Sequence, residues 1–276
     1  MRNLMIVAGK EFRDGLRNRW VLAITVVFAL LAVGIGYFGA AASGTVGFTS
    51  IATTVVSLAS LAVFLIPLIA LLLAYDTVVG EEEQGTLLLL LTYPLGRGAL
   101  LAGKFLGHAG IIAVSTLLGF GLAGLFMAAV ADELGGIGLW QAFSYFIFSS
   151  ILLGLVFVAF AHLISVTVTE KTRAAGLALI VWFLFVLVFD LGLLGLLVAT
   201  GGQVGAELFP YLLLLNPTDV FRIANLAGFE ATQVHAGLTD LAAPGLFNPA
   251  LLAVVLMLWA ALPFALAVWL FTRRSA

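Results

Sequence analysis

The sequence contains no cysteine. Disulfides, thiolate metal sites and cysteine nucleophiles are therefore excluded. Charge is almost as scarce, at 9% of residues, against about 25% in a soluble domain. With 63% hydrophobic residues and a mean hydropathy of +1.22, the chain cannot cover itself with polar surface and reads as an integral membrane protein. The period-two alternation that a lipid-facing barrel needs is also missing. Long apolar runs stand in its place, so the fold class is an all-α membrane protein whose spans are helices. Its length suits one transmembrane domain over residues 1–276. A net charge of −2, with the few basic residues clustered, argues against nucleic-acid binding.

Metal ligands and catalytic groupings are sparse as well. His108, His162 and His235 are scattered without ligand spacing, and Met1, Met5, Met127 and Met257 form no cluster, so no metal site is expected. No nucleophile–base arrangement stands out. "GALLAGKF" (Gly98–Phe105) approaches a phosphate-binding loop, but Phe105 replaces the metal-binding hydroxyl and no strand precedes it. The chain is expected to bind no cofactor of its own and not to be an enzyme.

What is present is a series of runs near the roughly 20 residues a span requires. Six are placed at Trp20–Ala41, Val55–Val79, Phe105–Val130, Phe143–Val168, Ala174–Ala199 and Pro249–Phe271. The run after Arg19 exceeds a signal-peptide core and is read as a retained span. Arg2, Lys10, Arg13, Arg17, Arg19, Arg97, Lys104, Lys171, Arg173, Arg273 and Arg274 fall on one side, and Arg222 alone falls on the other. The positive-inside rule then makes both termini cytoplasmic. Residues 1–19 place Met5, Ala8, Phe12 and Leu16 on one helical face and Lys10, Arg13 and Arg17 on a neighbouring one. This is the pattern of an amphipathic helix on the inner membrane surface. In span one, Ala32, Gly36, Ala40 and Gly44 form a small-residue stripe suited to close helix packing, within the chain or in a dimer.

Two acids lie in apolar runs. Asp190 is near the middle of span five, and Asp76 is close to an acidic loop. A carboxylate at membrane depth is a pathway or pairing residue by default, with a hydrogen-bonded structural role as the alternative. Residues 200–248 form the long outer segment. Its Asn216-Pro217-Thr218-Asp219 turn cluster and Arg222 are candidates for polar contacts with another protein, which the resemblance given below implies is periplasmic, the alternative being a membrane-surface cap with an internal Asp–Arg pair.

One short segment is unlike the rest. In "VGEEEQGTLLLLLTYPLGRGALLAGK", three glutamates and five leucines stand between two apolar runs. Glu81, Glu82 and Glu83 suit a helix N-terminus, Leu87–Leu91 give it an apolar body and Pro94 ends it. A short helix is expected to jut from the cytoplasmic side at residues 80–98.

At these residues the chain resembles the permeases of the ABC-2 transporter family, with their acidic pair, Gly-Thr-Leu, Pro-x-x-Arg and Gly-Lys. The resemblance implies a coupling helix, with Glu81, Glu82, Glu83, Gly85, Thr86, Leu87, Pro94 and Arg97 contacting a cytoplasmic ABC ATPase that itself binds ATP and Mg. "KEFRDGLRNRWVLAI", "GAAASGTVGFTSI", "LTYPLGRG", "FLFVLVFDLGLL" and "LLLLNPTDVFR" are similar, within that family, to the permeases of nitrous oxide reductase maturation. That similarity implies a homodimer in the bacterial inner membrane, two ATPase subunits and a periplasmic β-helical partner. It implies assembly of a copper–sulfur centre, with a sulfur species as cargo. Two other readings stay open: an exporter of a lipid, drug or other small molecule, and a non-transporting permease that transmits ATPase motion.

Overall fold

The computed structural model describes residues 2–17, 19–38, 50–93, 95–130, 136–201, 208–226 and 247–274. Among them every regular element is helical, as the composition requires: α1 (Arg2–Arg17), α2 (Trp20–Phe38), α3 (Ile51–Ala74), α4 (Val79–Glu83), α5 (Thr86–Leu91), α6 (Arg97–Val130), α7 (Ile137–Thr167), α8 (Lys171–Phe183), α9 (Phe189–Ala199), α10 (Phe209–Leu213), α11 (Pro217–Leu226) and α12 (Pro249–Arg273). A π-helical turn, Leu184–Val188, joins α8 to α9. Five helical stretches are long and apolar enough to cross a membrane: Ile51–Glu83, Arg97–Val130, Ile137–Thr167, Lys171–Ala199 and Pro249–Arg273. The bent pair Asn3–Arg17 and Leu22–Phe38, at 64°, brings the number to as many as six.

Helix starts follow local capping chemistry. The Ser50 side chain accepts the Thr53 N–H at 3.0 Å at the head of α3. Asn248 accepts the Ala250 N–H at 2.8 Å, with Pro249 in the first turn of α12, where its missing donor costs nothing. Helix α7 is the central post: 72% of its most apolar window is buried, against 11% for Lys171–Ala199, which stands at the edge of the bundle. Aromatic side chains tie the layers together. Phe28 of α2 stacks on Phe120 of α6 at 4.9 Å, Phe120 meets Phe146 of α7 at 4.7 Å, and Phe146 reaches Phe221 of α11 at 6.2 Å.

The packing adds detail to three expectations. Helix α1 packs part of its apolar face, Ala8 and Phe12, against α6. Its Val7, Ala8 and Glu11 lie against Gly103 and Gly107 of α6, where an added Cβ would come within 2.7 Å of Val7 and 2.5 Å of Glu11. Two glycines four residues apart let the helices touch backbone to side chain, while Met5, Ile6 and Leu16 stay exposed. The stripe in span one packs within the chain at Ala32 and Gly36, which are buried; Ala40 and Gly44 lie outside the described residues.

The third concerns the outer segment, of which residues 208–226 are described. Helix α11 packs against α3, α7 and α12. Asn216 donates to the carbonyl of Phe185, which lies midway along Lys171–Ala199. Asn225 bonds Ser149 inside α7, and the Trp259 indole of α12 donates to Leu214 O at 3.1 Å. A polar loop can sit at that depth only because its backbone and side chains find partners in the protein.

Candidate functional site

Two polar constellations organise the bundle. The first gathers at the end that carries the basic residues. The acidic segment forms two short helices rather than one, because Gly85 takes a left-handed conformation (φ 69°) between α4 and α5. The backbone N–H groups of Val78 and Val79 donate to Ser165 Oγ of α7 at 2.9 and 3.1 Å, which satisfies otherwise orphaned donors at the start of α4.

The three glutamates then reach to three different helices. Glu81 accepts from Lys104 Nζ of α6 at 2.8 Å, and the same ammonium bonds Glu11 of α1 at 3.1 Å. Glu82 pairs with Arg274, just past α12, at 2.8 Å. Glu83 accepts the backbone N–H of Lys171 at the head of α8 at 2.5 Å. Arg97 donates to the carbonyls of Phe271 (3.5 Å) and Arg274, capping the end of α12. Thr86 Oγ donates to Glu81 O at 3.2 Å, and Leu87 is buried.

The glutamates and Arg97 therefore serve as an internal clasp in this chain. Beside the exposed Glu83 and Gln84, the segment presents a large apolar surface: Leu88 and Leu89 are each 64% exposed, and Tyr93 67%. Pro94 lies outside the described residues. Asp76 is not at mid-bundle; it sits at the end of α3 and binds Lys171 Nζ at 2.6 Å, with both side chains partly exposed.

The second constellation lies at the π-helical turn. A π turn breaks the usual carbonyl pairing, and Phe185 O accepts from both Asn216 Nδ2 (2.9 Å) and Thr218 Oγ1 (3.0 Å). Asn216 also accepts the Thr218 N–H at 3.1 Å and so caps α11, which Pro217 opens. Arg222 then spans two carboxylates, Asp219 at 2.7 Å and Asp190 at 3.1 Å. Asn216 donates to the second Asp219 oxygen at 3.0 Å.

The mid-span acid and the turn cluster of the outer segment thus form a single site. Asn216, Pro217 and Asp219 are buried within the chain, and the Arg222 side chain is 34% exposed. His108 and His162, far apart in sequence, meet on α6 and α7 with ring centroids 5.4 Å apart. Lys104, Glu11, Ser165, Lys171 and Arg274 were not marked by any local motif as partners of the acidic segment.

The comparisons with known proteins align with this architecture. Residues 5–276 match the family described as ABC-2 family transporter protein. The chain belongs to the ABC-2 transporter family. This ABC-2 permease is 56% identical over 276 residues to the "Probable ABC transporter permease protein NosY" of Stutzerimonas stutzeri, with 99% of both chains covered. It is 57% identical over 268 residues to the protein of the same name from Pseudomonas aeruginosa, with 97% of both covered. The permease is therefore NosY-like by homology, a multi-pass membrane subunit of an ABC transporter. The acidic clasp and the Asp190–Arg222–Asp219 cluster both fall inside the matched region.

Proposed function

We propose that this permease serves assembly of the copper–sulfur centre of nitrous oxide reductase. It works as a homodimer in the inner membrane with two NosF-type ATPase subunits, which bind the ATP and Mg, and a periplasmic NosD-type β-helical protein. The observation that carries this reading is the near full-length identity to two permeases named NosY. The basic end of the bundle is the cytoplasmic one, and a sulfur species is the cargo. In cells lacking the permease, nitrous oxide reductase is expected to be made and exported with its electron-transfer copper centre loaded and its copper–sulfur centre missing. Returning the gene restores nitrous oxide reduction. Metal analysis and spectra of reductase purified from the deletion strain check this, and a complete catalytic centre there would overturn the assignment.

The coupling segment meets the ATPase chiefly through Leu88, Leu89 and Tyr93, with Glu83 exposed beside them and Glu81 tied inward to Lys104. Apolar side chains of this size are the usual anchors of a soluble partner. The Leu88→Glu/Leu89→Glu variant is expected to insert normally and to bind the ATPase at least tenfold more weakly in a detergent pull-down. Undiminished association would exclude this surface.

One observation argues against the mid-bundle cluster as the route of the sulfur species and for its use as a mechanical tie. Arg222 already gives Nη1 to Asp219 and Nη2 to Asp190. A guanidinium so engaged holds two helices together and leaves little for a passing anion. The NosD-type partner then docks on the outer segment 200–248, with Asp219 acting through Arg222 rather than by contact.

A further inference from the structure

Two carboxylates and one guanidinium meet where α11 lies beside the edge span Lys171–Ala199. Arg222 gives Nη1 to Asp219 Oδ1 at 2.7 Å and Nη2 to Asp190 Oδ2 at 3.1 Å. One planar fork therefore holds both acids, and the two carboxyl groups stand within hydrogen-bond reach of each other. With both ionised, the site would carry one uncompensated negative charge. Asn216 adds an amide donor to Asp219 at 3.0 Å but no charge. Among the described residues no second cation pairs with either acid.

The elements packed against α11 do not balance that charge. Helix α3 and the π turn have no ionisable side chain, and α12 has only Arg273, at its far end. Helix α7 has Tyr145 and His162. Tyr145 gives its hydroxyl to Pro249 O at 3.3 Å, and the His162 ring lies against Phe105 and Phe264. Solvent does little for Asp219, whose side chain is 3% exposed. Asp190, at 35%, and Arg222, at 34%, leave one side of the site unsealed.

We infer that this cluster is a proton-binding site, in which Asp190 and Asp219 hold a single proton between them beside Arg222. Two carboxylates this close do not both ionise. One proton, one carboxylate and one guanidinium leave the cluster neutral. The protonated acid gains an O–H donor, which bonds the other acid and closes the side of the triangle that Arg222 leaves open. Burial first, and then the Asp190 charge, push the Asp219 carboxyl up to about 7, against the opposing pull of Arg222 and Asn216. Asp219 lies on α11, outside the five spanning stretches, and the titration belongs to the pair. An unfolded chain has ordinary carboxyls near about pH 4 and gives this proton up sooner. The stability that the proton confers is therefore present at mildly acidic pH and is lost as pH rises through about 7. Its release restores repulsion between the acids and loosens the tie between α11 and the edge span. Proton uptake here does not depend on what the permease carries.

The test follows the purified full-length permease by infrared spectroscopy as pH is raised from about 5.5 to about 8.5. The carbonyl stretch of a neutral carboxylic acid is separate from that of a carboxylate, so the proton is read directly. Wild type is expected to show a neutral-acid band that disappears with a midpoint of about 7. Asp190→Asn and Asp219→Asn should each lack that band. Asp76→Asn, which removes an acid paired with Lys171 away from the cluster, should keep it. Over the same range the wild-type melting midpoint should fall by about 5 °C more than that of either cluster variant. Absence of the band from folded wild-type protein at the acidic end would overturn the inference, as would a band that persists in either cluster variant. The same pH dependence of melting in all three proteins would overturn it as well.

Discussion

Lys104→Met is expected to lower the thermal stability of the purified permease by about 10 °C. The Lys104 side chain is only 3% exposed and holds Glu11 and Glu81 on either side. Methionine matches its length but leaves two partly buried carboxylates facing each other. Removing one partner of a buried ion group costs on the order of 3–5 kcal/mol, and in a chain of this size each kcal/mol moves the midpoint by about 2–4 °C. Neutralising both acids should restore much of the loss, so the Glu11→Gln/Glu81→Gln/Lys104→Met protein is expected to melt well above Lys104→Met alone. If the single variant melted like wild type, the triad would be a surface pairing of little weight. Because Lys104 joins α1, α6 and the coupling segment, ATPase stimulation by the permease should fall with it.

Much of this architecture is legible in the sequence because it depends on local physics. Apolar runs mark the spans whatever their neighbours do, and eleven basic residues on one side mark one end of the bundle. The acidic stretch was marked too, since three glutamates beside five leucines fit neither lipid nor a flexible loop. Its role as a clasp was not legible. Lys104 lies 23 residues from Glu81 and 93 from Glu11, and no periodicity links such positions. The close approach of α1 to α6 had a signal in Gly103 and Gly107, spaced like the stripe noted in span one. The packing of α11 against α3, α7 and α12 was hidden for a different reason. Asn216, Thr218, Asp219 and Arg222 are polar enough to be assigned to water, and the freed Phe185 carbonyl of the π turn, together with Asp190 of α9, gives them partners inside. Hydropathy reads a residue's solvent preference alone and is blind to a partner supplied by another helix.

That same cluster carries the largest expected loss of function, and its members should not fail alike. Arg222→Leu removes the one cation and leaves Asp219, 3% exposed, and Asp190 without compensation. Two carboxylates without their cation at membrane depth are costly, so this variant is expected to reach the membrane poorly and to leave the reductase without its copper–sulfur centre. Asp190→Leu is different. Arg222 keeps its 2.7 Å bond to Asp219, and the pair remains neutral, so the protein should insert at normal levels. Yet the tie between α11 and the edge span Lys171–Ala199 is cut at its charged point. The capping bonds from Asn216 and Thr218 to Phe185 O remain to hold the backbone. If transmission or passage depends on the ion cluster, Asp190→Leu will give a stable but inactive permease, read as normal membrane abundance with loss of reductase maturation in a complemented deletion strain. Asp190→Asn keeps a hydrogen-bond acceptor for Arg222 and should recover part of the activity. Wild-type maturation by Asp190→Leu would reduce the cluster to a packing device and locate the working motion elsewhere. Asp76→Leu, which breaks only a partly exposed pair with Lys171, is expected to be milder than either.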